Sequence, residues 1–485
     1  MAILTDLYQL TMAYGYFHAR VEKDAVFHLY FRNNPFRGGY AIAGGLASAI
    51  DLIENFSFST EDLEYLSTLT GQDDKPLFDQ RFLQYLSELK LDVDVDAVPE
   101  GEVVFAHEPL VRVKGSIIHC QLLETALLNF FNFETLIATK ASRVAFASQG
   151  RAVLEFGLRR AQGVDGALSA SRAAYLGGCD ATSNVLAGRL FGIPVKGTHA
   201  HSWVMSFEDE ASAFHAYAEA MPNNCIFLVD TYDTLHGVAH AIEEGKRLRA
   251  NGHELGGIRL DSGDLAYLSA EARKMLDQAG FPEAKIVASN DLDEEVIASL
   301  IEQGACVDIW GVGTNLVTAA DQPALGGVYK LSCVRDRYDE KWQYRLKLSE
   351  QAAKISTPGV QQVRRFYNTV DGEKRYLADM IFDCESDRAP VSTIVDPLDV
   401  TRRKSISSET YEDLLVPIFR SGKLVYDEPT LEEARALRAR RLKGFHPAIL
   451  RLLNAHQYPV GLEAGLSRAK TDLILKERGF QDNLA

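Results

Sequence analysis

The sequence lacks an excess of basic residues. Lysine and arginine together number 51 against 67 aspartate and glutamate residues, which gives a formal net charge of -16. Such a chain has no general electrostatic attraction to nucleic-acid phosphates or to anionic lipids. We therefore expect no nucleic-acid partner and no membrane partner, and any anionic substrate has to be bound by a local arrangement of residues.

Paired cysteines and long apolar runs are also missing. The six cysteines are spread along the chain without a CxxC pair, which argues against a zinc knuckle and against a secreted disulfide framework. Charges interrupt the apolar runs before the ~20 residues that a membrane-spanning helix needs, and residues 1–10 lack the features of a signal peptide. The sequence therefore predicts a cytoplasmic enzyme with reduced, mostly buried thiols.

The hydrophobic pattern divides the 485 residues into three predicted regions. Residues 1–121 are predicted to form an α+β domain, with a helix over 8–17, a strand over 27–31 and strand residues between 103 and 113. In residues 122–370, short apolar runs alternate with stretches of helical spacing, which predicts buried parallel strands covered by helices. Residues 371–485 form a separate C-terminal region, where 431–457 is predicted as helices separated by Pro447.

The alternation in the middle region defines the predicted fold class. The apolar runs lie at 152–157, 225–231, 256–263, 285–291 and 307–314, and polar residues follow at their carboxyl ends. We predict an α/β fold, namely an irregular α/β barrel with an α+β N-terminal domain and a smaller C-terminal helical cap. A doubly wound parallel sheet follows similar rules and stays open as an alternative.

The first candidate for chemistry is the HxH pair His199 and His201. On a strand, two side chains at this spacing point the same way, which suits shared metal ligation in an amidohydrolase-like barrel. Such a site needs further ligands from later strands, but His236, His240 and His253 fall in helix-like or loop stretches. From spacing alone, metal ligation, a structural role and a chance pair all stay open.

The second candidate is the segment IRLDSGDL, which contains Arg259 and Asp261. Two residues apart on a strand, they can face one cavity, where the guanidinium offers a fork for a carboxylate and the aspartate an acceptor for hydroxyls. The alternative from spacing is an ion pair between Arg259 and Asp261 or Asp264 at the start of a helix.

Two predicted turns are candidates for phosphate binding, at residues 289–291 (SND) and 311–314 (GVGT). Backbone amides at a strand-to-helix turn bind phosphate without positive side chains, which suits an acidic protein. A glycine at such a turn is also often only a steric requirement. Lys330, Lys347 and Lys354, followed by Thr357, are candidates for further contacts, although any one lysine is more often solvated.

These segments together resemble the nicotinate phosphoribosyltransferases, in the same order and over most of the chain. The matching blocks are residues 4–12 (LTDLYQLTM), 31–46, 154–188 and 197–207 (GTHAHSWVMSF), followed by IRLDSGDL, SNDLDE, GVGT and GGVYKLS. The resemblance implies the irregular barrel of the type II phosphoribosyltransferases and a homodimer with active sites between subunits. It also implies formation of nicotinate mononucleotide and pyrophosphate from nicotinate and phosphoribosyl pyrophosphate, coupled to ATP hydrolysis, in NAD biosynthesis.

The same resemblance implies roles for individual residues. His201 would be the histidine that ATP phosphorylates, and Asp261 would assist that histidine or the ribose. Nicotinate would contact Thr198, Arg259 and Ser183 and stack between Phe156 and a Tyr8 contributed by the neighbouring subunit. The residues implied for phosphoribosyl pyrophosphate are Arg159, Ser289, Asn290, Gly311, Gly313, Thr314 and Thr357. Many relatives carry a lysine two positions after the Pro-Gly pair, where this chain has Gln361.

The resemblance sets expectations for cofactors as well. Mg²⁺ or Mn²⁺ is expected to bind the pyrophosphate with few protein ligands, so no metal site made of protein side chains is predicted. One alternative is nicotinamide phosphoribosyltransferase, which has an aspartate where Ser183 stands; a serine there removes a charge that would repel a carboxylate and favours the acid. A metal-dependent barrel hydrolase and a non-catalytic binding protein are further alternatives.

Overall fold

The computed structural model describes residues 2–337, 339–386, 390–408 and 410–480. Its helices are α1 Leu7–His18, α2 Leu46–Glu54, α3 Thr60–Thr68, α4 Gln80–Glu88, α5 Ile117–Leu122, α6 Glu124–Ala147, α7 Val164–Gly177, α8 Val185–Phe191, α9 His201–Met205, α10 Glu210–Ala220, α11 Thr234–Ala250, α12 Leu265–Gln278, α13 Glu294–Glu302, α14 Thr314–Val317, α15 Leu431–Lys443 and α16 Ala464–Glu477. Short 3-10 turns lie at Pro35–Arg37, Leu158–Arg160, Ala352–Lys354 and Pro447–Ile449. Its strands are β1 Lys23–Phe31, β2 Ala41–Ile42, β3 Val93–Ala97, β4 Val103–Val104, β5 Val111–Ser116, β6 Ala152–Glu155, β7 Ala181–Thr182, β8 Ile226–Leu228, β9 Gly257–Leu260, β10 Lys285–Ala288, β11 Ile309–Val312, β12 Gly327–Asp336, β13 Gln343–Tyr344, β14 Gln361–Val370, β15 Glu373–Asp383, β16 Thr393–Val395, β17 Arg403–Ser405, β18 Tyr411–Asp413, β19 Val416–Arg420, β20 Lys423–Leu424 and β21 Val460–Glu463.

These elements form two compact units, each described by itself. Unit A comprises Met1–Leu136 and Ala324–Ala485, and unit B comprises Ile137–Pro323. The domain boundaries placed after residues 121 and 370 on sequence pattern stay predictions. No helix in the described part of either unit is long and apolar enough to cross a membrane.

Unit B is built on a parallel sheet with the strand order β7-β6-β11-β10-β9-β8. Parallel neighbours need crossover connections, and helices α11, α12 and α13 supply them between β8, β9, β10 and β11. Among the described residues the end strands β7 and β8 do not pair with each other, so the sheet stays open. This arrangement confirms the predicted α/β class with an irregular rather than closed barrel.

Local sequence signals explain where these helices begin and end. The side chains of Asp233, Asp264 and Asp293 accept hydrogen bonds from the first-turn amides of α11, α12 and α13, which have no partner within the helix. Gly280 and Gly304, with φ of +84° and +83°, follow α12 and α13, where a left-handed residue ends a helix without Cβ strain. The three helices and the five longer strands of the sheet were all predicted from the hydrophobic pattern.

Unit A is a mixed α+β structure with two larger sheets. One is antiparallel, with the order β13-β12-β1-β5-β3-β19-β20, and the other has the order β17-β16-β21-β15-β14-β18. Arg365, fully buried on β14, forms ion pairs of 2.6 Å with Asp379 and 2.7 Å with Glu102. Because a buried cation is tolerated only when it is paired and hydrogen-bonded, this network fixes how the strands that carry it pack.

The C-terminal region contains more strand than the predicted helical cap. Helix α15 is where it was predicted and begins with a capping box formed by Thr430 and Glu433. The helix expected after Pro447 is absent, because only a single 3-10 turn forms there and the following loop is held by Tyr458, whose hydroxyl donates to Asp379 at 2.9 Å. Most strands of this region have two to five residues, too few to produce a clear alternating pattern.

Candidate active site

The carboxyl ends of the parallel strands in unit B surround a cavity of about 320 Å³. Parallel strands bring the residues that follow them to one edge of the sheet, which is where α/β folds bind ligands. Seven residues predicted from the sequence line this cavity: Phe156, Arg159, Ser183, Thr198, His201, Arg259 and Asp261. The other lining residues are Leu158, Gly197, His199, Ala200 and Leu228.

Arg259 is the centre of the hydrogen-bond network in this cavity. Its guanidinium donates to the hydroxyls of Thr198 at 3.0 Å and Ser289 at 2.9 Å, and to the carboxylate of Asp261 at 3.0 Å. A guanidinium has five N–H groups, so the three bonds made to described residues leave two that can bind a ligand. The ring of Phe156 lies with its centroid 5.8 Å from the guanidinium carbon, which places a flat apolar surface beside the charge.

Asp261 is held as a carboxylate by its neighbours. Burial raises the pKa of Asp261. The hydrogen bond from Ser289 and the positive charge of Arg259 lower this pKa by a larger amount, so the net shift is downward. The ion pair with Arg259 that the spacing allowed is therefore present. Asp230 receives hydrogen bonds from the Asp261 amide at 2.8 Å and the Ser262 hydroxyl at 2.7 Å, which fixes the turn that carries Asp261.

His201 lies at the start of α9, with its side chain partly exposed to the cavity. Its Nδ1 lies 3.1 Å from the hydroxyl of Thr231, and its Nε2 lies 3.7 Å from an Asp261 carboxylate oxygen. The imidazole therefore has a hydroxyl on one side and a carboxylate on the other, and both orient the ring. Thr231 was not predicted as a site residue, because a threonine 30 positions away carries no spacing signal.

His199 has a different environment from His201, although the two are only two residues apart. Its Nε2 accepts a hydrogen bond from the Leu228 amide at 3.2 Å, and burial lowers its pKa to about 4, so the ring is neutral near pH 7. The segment before α9 is not a strand, so the two side chains do not share a direction. Over the described residues no group of three or more potential metal ligands occurs, which removes the structural support for a metal-hydrolase site.

Glu155 organises one wall of the cavity and was missed by the sequence analysis. Only 1% exposed at the end of β6, its carboxylate accepts hydrogen bonds from the Gly157 amide, the Ser171 hydroxyl at 2.8 Å and the Thr182 hydroxyl at 2.5 Å. It thus joins the turn after Phe156 to helix α7 and to strand β7. The only sequence signal is a single acidic residue inside an apolar run, which does not reveal its partners.

The two predicted phosphate turns lie next to this cavity wall. Ser289 is buried and donates to Asp261, and Asn290 follows with φ of +96°. Gly311 lies under the Phe156 ring: a Cβ there would approach two ring carbons to 2.8 and 2.9 Å. Gly313 precedes α14, whose first residue is Thr314. Their contacts with a phosphorylated ligand stay predictions.

Tyr8 and Thr357, the remaining predicted residues, belong to unit A. Tyr8 lies on α1 and is 47% exposed, together with the exposed apolar side chains of Leu4, Leu7 and Met12. Thr357 precedes β14, and its hydroxyl accepts a hydrogen bond from Lys470 at 3.3 Å. Their roles in binding stay predictions.

Comparisons with known proteins identify relatives over most of the chain. Models of the nicotinate phosphoribosyltransferase N-terminal domain, family and C-terminal domain match residues 3–132, 152–340 and 360–470. Nicotinate phosphoribosyltransferase of Bacillus subtilis (strain 168) is 43% identical over 466 residues, which cover 95% of this chain and 93% of the relative.

Solved structures agree with these sequence matches. The crystal structure of human nicotinic acid phosphoribosyltransferase superposes with a TM-score of 0.83 at 33% identity, covering 97% of this chain and 99% of the human chain. Nicotinate-nucleotide pyrophosphorylase from Pyrococcus furiosus, with a TM-score of 0.67 at 22% identity over 91% of this chain and 95% of its own, shares the fold. The chain therefore belongs to the nicotinate phosphoribosyltransferase family.

Proposed function

We propose that this protein transfers the phosphoribosyl group of phosphoribosyl pyrophosphate to nicotinate, forming nicotinate mononucleotide and pyrophosphate for NAD biosynthesis. The observation that carries the proposal is the environment of Arg259. Two of its N–H groups are left for a carboxylate, and the Phe156 ring beside it offers a surface on which a pyridine ring can stack.

Ser183 supports nicotinate rather than nicotinamide as the substrate. It lines the cavity directly after β7, and its backbone amide donates to the Glu155 carbonyl at 2.9 Å. The hydroxyl adds no negative charge beside the bound ligand, so a carboxylate on the ring is not repelled from this side. The acid therefore gains the interaction with Arg259 without a compensating penalty from Ser183.

The proposed reaction needs alignment more than proton transfer. The pyridine nitrogen of nicotinate has a free lone pair at neutral pH, so it attacks the anomeric carbon while the bond from that carbon to pyrophosphate breaks. The polar groups of the cavity then serve to orient the two substrates and to stabilise the positive charge that develops on the ribose. Asp261, kept ionised by Arg259 and Ser289, is the carboxylate placed to do so.

We further propose that ATP phosphorylates His201 during turnover. The P–N bond to the imidazole forms as the bond between the γ-phosphorus and ADP breaks, and hydrolysis of the phosphohistidine would draw the transfer reaction forward. Thr231 and Asp261 hold the ring from opposite sides, which favours a fixed nucleophile. His199 is excluded from this role by its burial and by its hydrogen bond with the Leu228 amide.

Mg²⁺ or Mn²⁺ fits the acidic side of this cavity as a companion of the pyrophosphate. One carboxylate oxygen of Asp230 is buried without a hydrogen-bond partner among the described residues, next to the turn that carries Asp261. Asp230 and Asp261 are therefore the side chains that would contact the ion or its waters, in keeping with the preference of Mg²⁺ for oxygen ligands. When bound, the ion neutralises charge on the pyrophosphate.

We propose a cytoplasmic homodimer in which Tyr8 contributes to the partner's site. The support is a group of exposed apolar side chains in and just before α1, namely Leu4, Leu7, Tyr8 and Met12, since exposed apolar side chains that lie close together mark association surfaces. Sedimentation of the purified chain should give twice its mass of 53.7 kDa. A monomer at micromolar concentration would contradict this part of the proposal.

The function is tested by incubating the protein with nicotinate, phosphoribosyl pyrophosphate and Mg²⁺, with and without ATP, and measuring nicotinate mononucleotide. Absence of product in both conditions would overturn the proposal. The phosphohistidine is tested with γ-labelled ATP: His201→Ala should take up no label and keep a slower ATP-independent reaction, and His199→Gln should be labelled like the wild type. Equal labelling of His201→Ala would place the phosphate elsewhere.

A further inference from the structure

Ser183 lies between two buried residues whose side chains are both hydrogen-bonded inside the protein. Thr182 is 1% exposed and Asn184 is 2% exposed, whereas Ser183 is partly exposed and lines the cavity around Arg259. The Ser183 hydroxyl makes no hydrogen bond to any residue that the structure describes. The chain therefore holds the neighbours of Ser183 in place and leaves its hydroxyl available to a ligand.

Thr182 and Asn184 belong to a closed ring of hydrogen bonds. The Asn184 backbone amide donates to the Thr182 hydroxyl at 2.9 Å, and the Asn184 side-chain amide donates to the Ser171 hydroxyl at 3.2 Å. Both hydroxyls donate to the same carboxylate oxygen of Glu155, Thr182 at 2.5 Å and Ser171 at 2.8 Å. The ring therefore connects strands β6 and β7 with helix α7 and with the start of α8.

The hydrogen bonds of this ring all run in one direction. A carboxylate has no proton to donate, so the two hydroxyls donate to Glu155 and offer their lone pairs to Asn184. The two N–H groups of Asn184 are the donors that complete the ring. Because all four residues are at most 2% exposed, water does not compete for these bonds, and a buried network whose members are satisfied is rigid.

Capping of helix α8 does not account for this use of Asn184. Its side-chain oxygen accepts a hydrogen bond from the Ala187 amide at 3.2 Å, as expected of an N-cap residue. Serine and aspartate cap a helix as well as asparagine does, but of these three only asparagine also has an NH₂ group. The bond to Ser171 is therefore not needed for the helix, and its effect falls on the residues that the ring connects.

We propose that Asn184 is a positioning residue for nicotinate and that it acts through Ser183. The ring fixes the residues on both sides of Ser183, and the Ser183 amide donates to the Glu155 carbonyl at 2.9 Å. The hydroxyl is thus held at the cavity before the ligand arrives, so less ordering is needed when it donates to the nicotinate carboxylate. This inference rests on the proposed function for the identity of the ligand.

The test is a double-mutant cycle measured by calorimetric titration with nicotinate. Asn184→Ser keeps the N-cap and removes the donor to Ser171, and it should weaken nicotinate binding about threefold to tenfold, the range that one neutral hydrogen bond contributes. In Ser183→Ala, which has no hydroxyl to position, adding Asn184→Ser should change the dissociation constant by less than about twofold. The same loss of affinity in both backgrounds would overturn the inference.

A second variant and a matched control separate positioning from stability. Ser171→Ala breaks the ring from the opposite side and should weaken nicotinate binding only where Ser183 is present. Ser269→Ala is the control, because this buried serine of α12 donates to the Ala266 carbonyl at 3.1 Å and accepts from the Cys306 amide at 3.0 Å. It should lose stability as Ser171→Ala does and bind nicotinate like the wild type. Equally weakened binding in Ser269→Ala would overturn the inference.

Turnover measurements distinguish this inference from the proposed function. In Asn184→Ser, KM for nicotinate should rise with the dissociation constant, while kcat and KM for phosphoribosyl pyrophosphate stay constant. A wild type that binds nicotinate but forms no mononucleotide would overturn the proposed function, whereas the binding cycle would still decide the inference. A wild type that forms the mononucleotide, together with an Asn184→Ser variant of equal nicotinate affinity, would overturn the inference alone.

Discussion

Replacing Glu155 with glutamine is expected to weaken nicotinate binding, although the side chain at this position makes no contact with the ligand. The carboxylate holds the Gly157 amide and the hydroxyls of Ser171 and Thr182, and it does so while almost fully buried. An amide has one acceptor oxygen in place of two. The remaining oxygen can serve the Gly157 amide, but the hydroxyls of Ser171 and Thr182, which both donate to the other oxygen, then face an NH₂ group. Ser171 can still donate to the Ala167 carbonyl, whereas Thr182 loses its acceptor.

The size of the effect follows from these three hydrogen bonds. Bonds to a charged group contribute ~1.5–3 kcal/mol each and bonds between neutral groups ~0.5–1.5 kcal/mol, so the exchange weakens each bond by roughly 1 kcal/mol. Neutralising a buried charge offsets part of this loss. We expect Glu155→Gln to lower the free energy of unfolding by ~1–3 kcal/mol. Glu155→Ala removes the acceptor of the buried Gly157 amide and of the buried Thr182 hydroxyl, so it should lower the free energy of unfolding by more.

The assay combines denaturant unfolding with steady-state kinetics. Because the turn after Phe156 loosens, KM for nicotinate should rise about tenfold in Glu155→Gln while KM for phosphoribosyl pyrophosphate stays constant. Glu243→Gln is the matched control, since Glu243 is an exposed acid on α11 paired with Lys246. Unchanged stability and unchanged KM for nicotinate in Glu155→Gln would refute the positioning role.

Two further predictions concern other residues of the cavity. Ser183→Asp should lower kcat/KM for nicotinate roughly 100-fold. The reason is that two like charges about 5 Å apart repel by ~3 kcal/mol at an effective dielectric constant near 20. Equal kcat/KM values for Ser183→Asp and the wild type would show that Ser183 lies away from the ligand. For His199, the folded-state pKa of about 4 lies below the ordinary value of 6.5, so the unfolded chain binds the proton first as pH falls. The free energy of unfolding should therefore decline by up to ~3 kcal/mol between pH 6.5 and 4, and this decline should be smaller in His199→Gln in parallel urea titrations.

Five strands and three helices of unit B were predictable because burial leaves a regular trace in the sequence. Apolar runs such as 285–291 mark strands covered on both faces, and aspartates such as Asp264 and Asp293 mark helix starts. Strand β7, with only two residues, produces no such pattern. The short strands of the C-terminal region also give no clear alternating pattern, which is why a helical cap was predicted there.

The position of the cavity was predictable for a geometric reason. Parallel strands end at one edge of a sheet, so polar residues after several apolar runs had to meet there, and Arg259 and Asp261 do. The pairing of Arg259 with Thr198 and Ser289 depends on how strands and loops distant in sequence are arranged. The sequence contains no direct signal for such contacts, which is also why Glu155 was overlooked.

The different environments of His199 and His201 show the same limit. Their spacing suggested a shared direction on a strand, but the loop before α9 gives His199 a buried backbone amide as partner and leaves His201 facing the cavity. Burial and partners distinguish a structural histidine from a reactive one, and neither can be read from an HxH motif.

The central claim, that the cavity around Arg259 selects nicotinate as the acceptor of the phosphoribosyl group, is tested most directly by competition. The protein is incubated with equal concentrations of nicotinate and nicotinamide, together with phosphoribosyl pyrophosphate, Mg²⁺ and ATP, and both mononucleotides are quantified by mass spectrometry. Nicotinate mononucleotide should form in roughly 100-fold excess, which corresponds to about 3 kcal/mol of discrimination. Nicotinamide mononucleotide in equal or greater amount, or no mononucleotide at all, would contradict this claim.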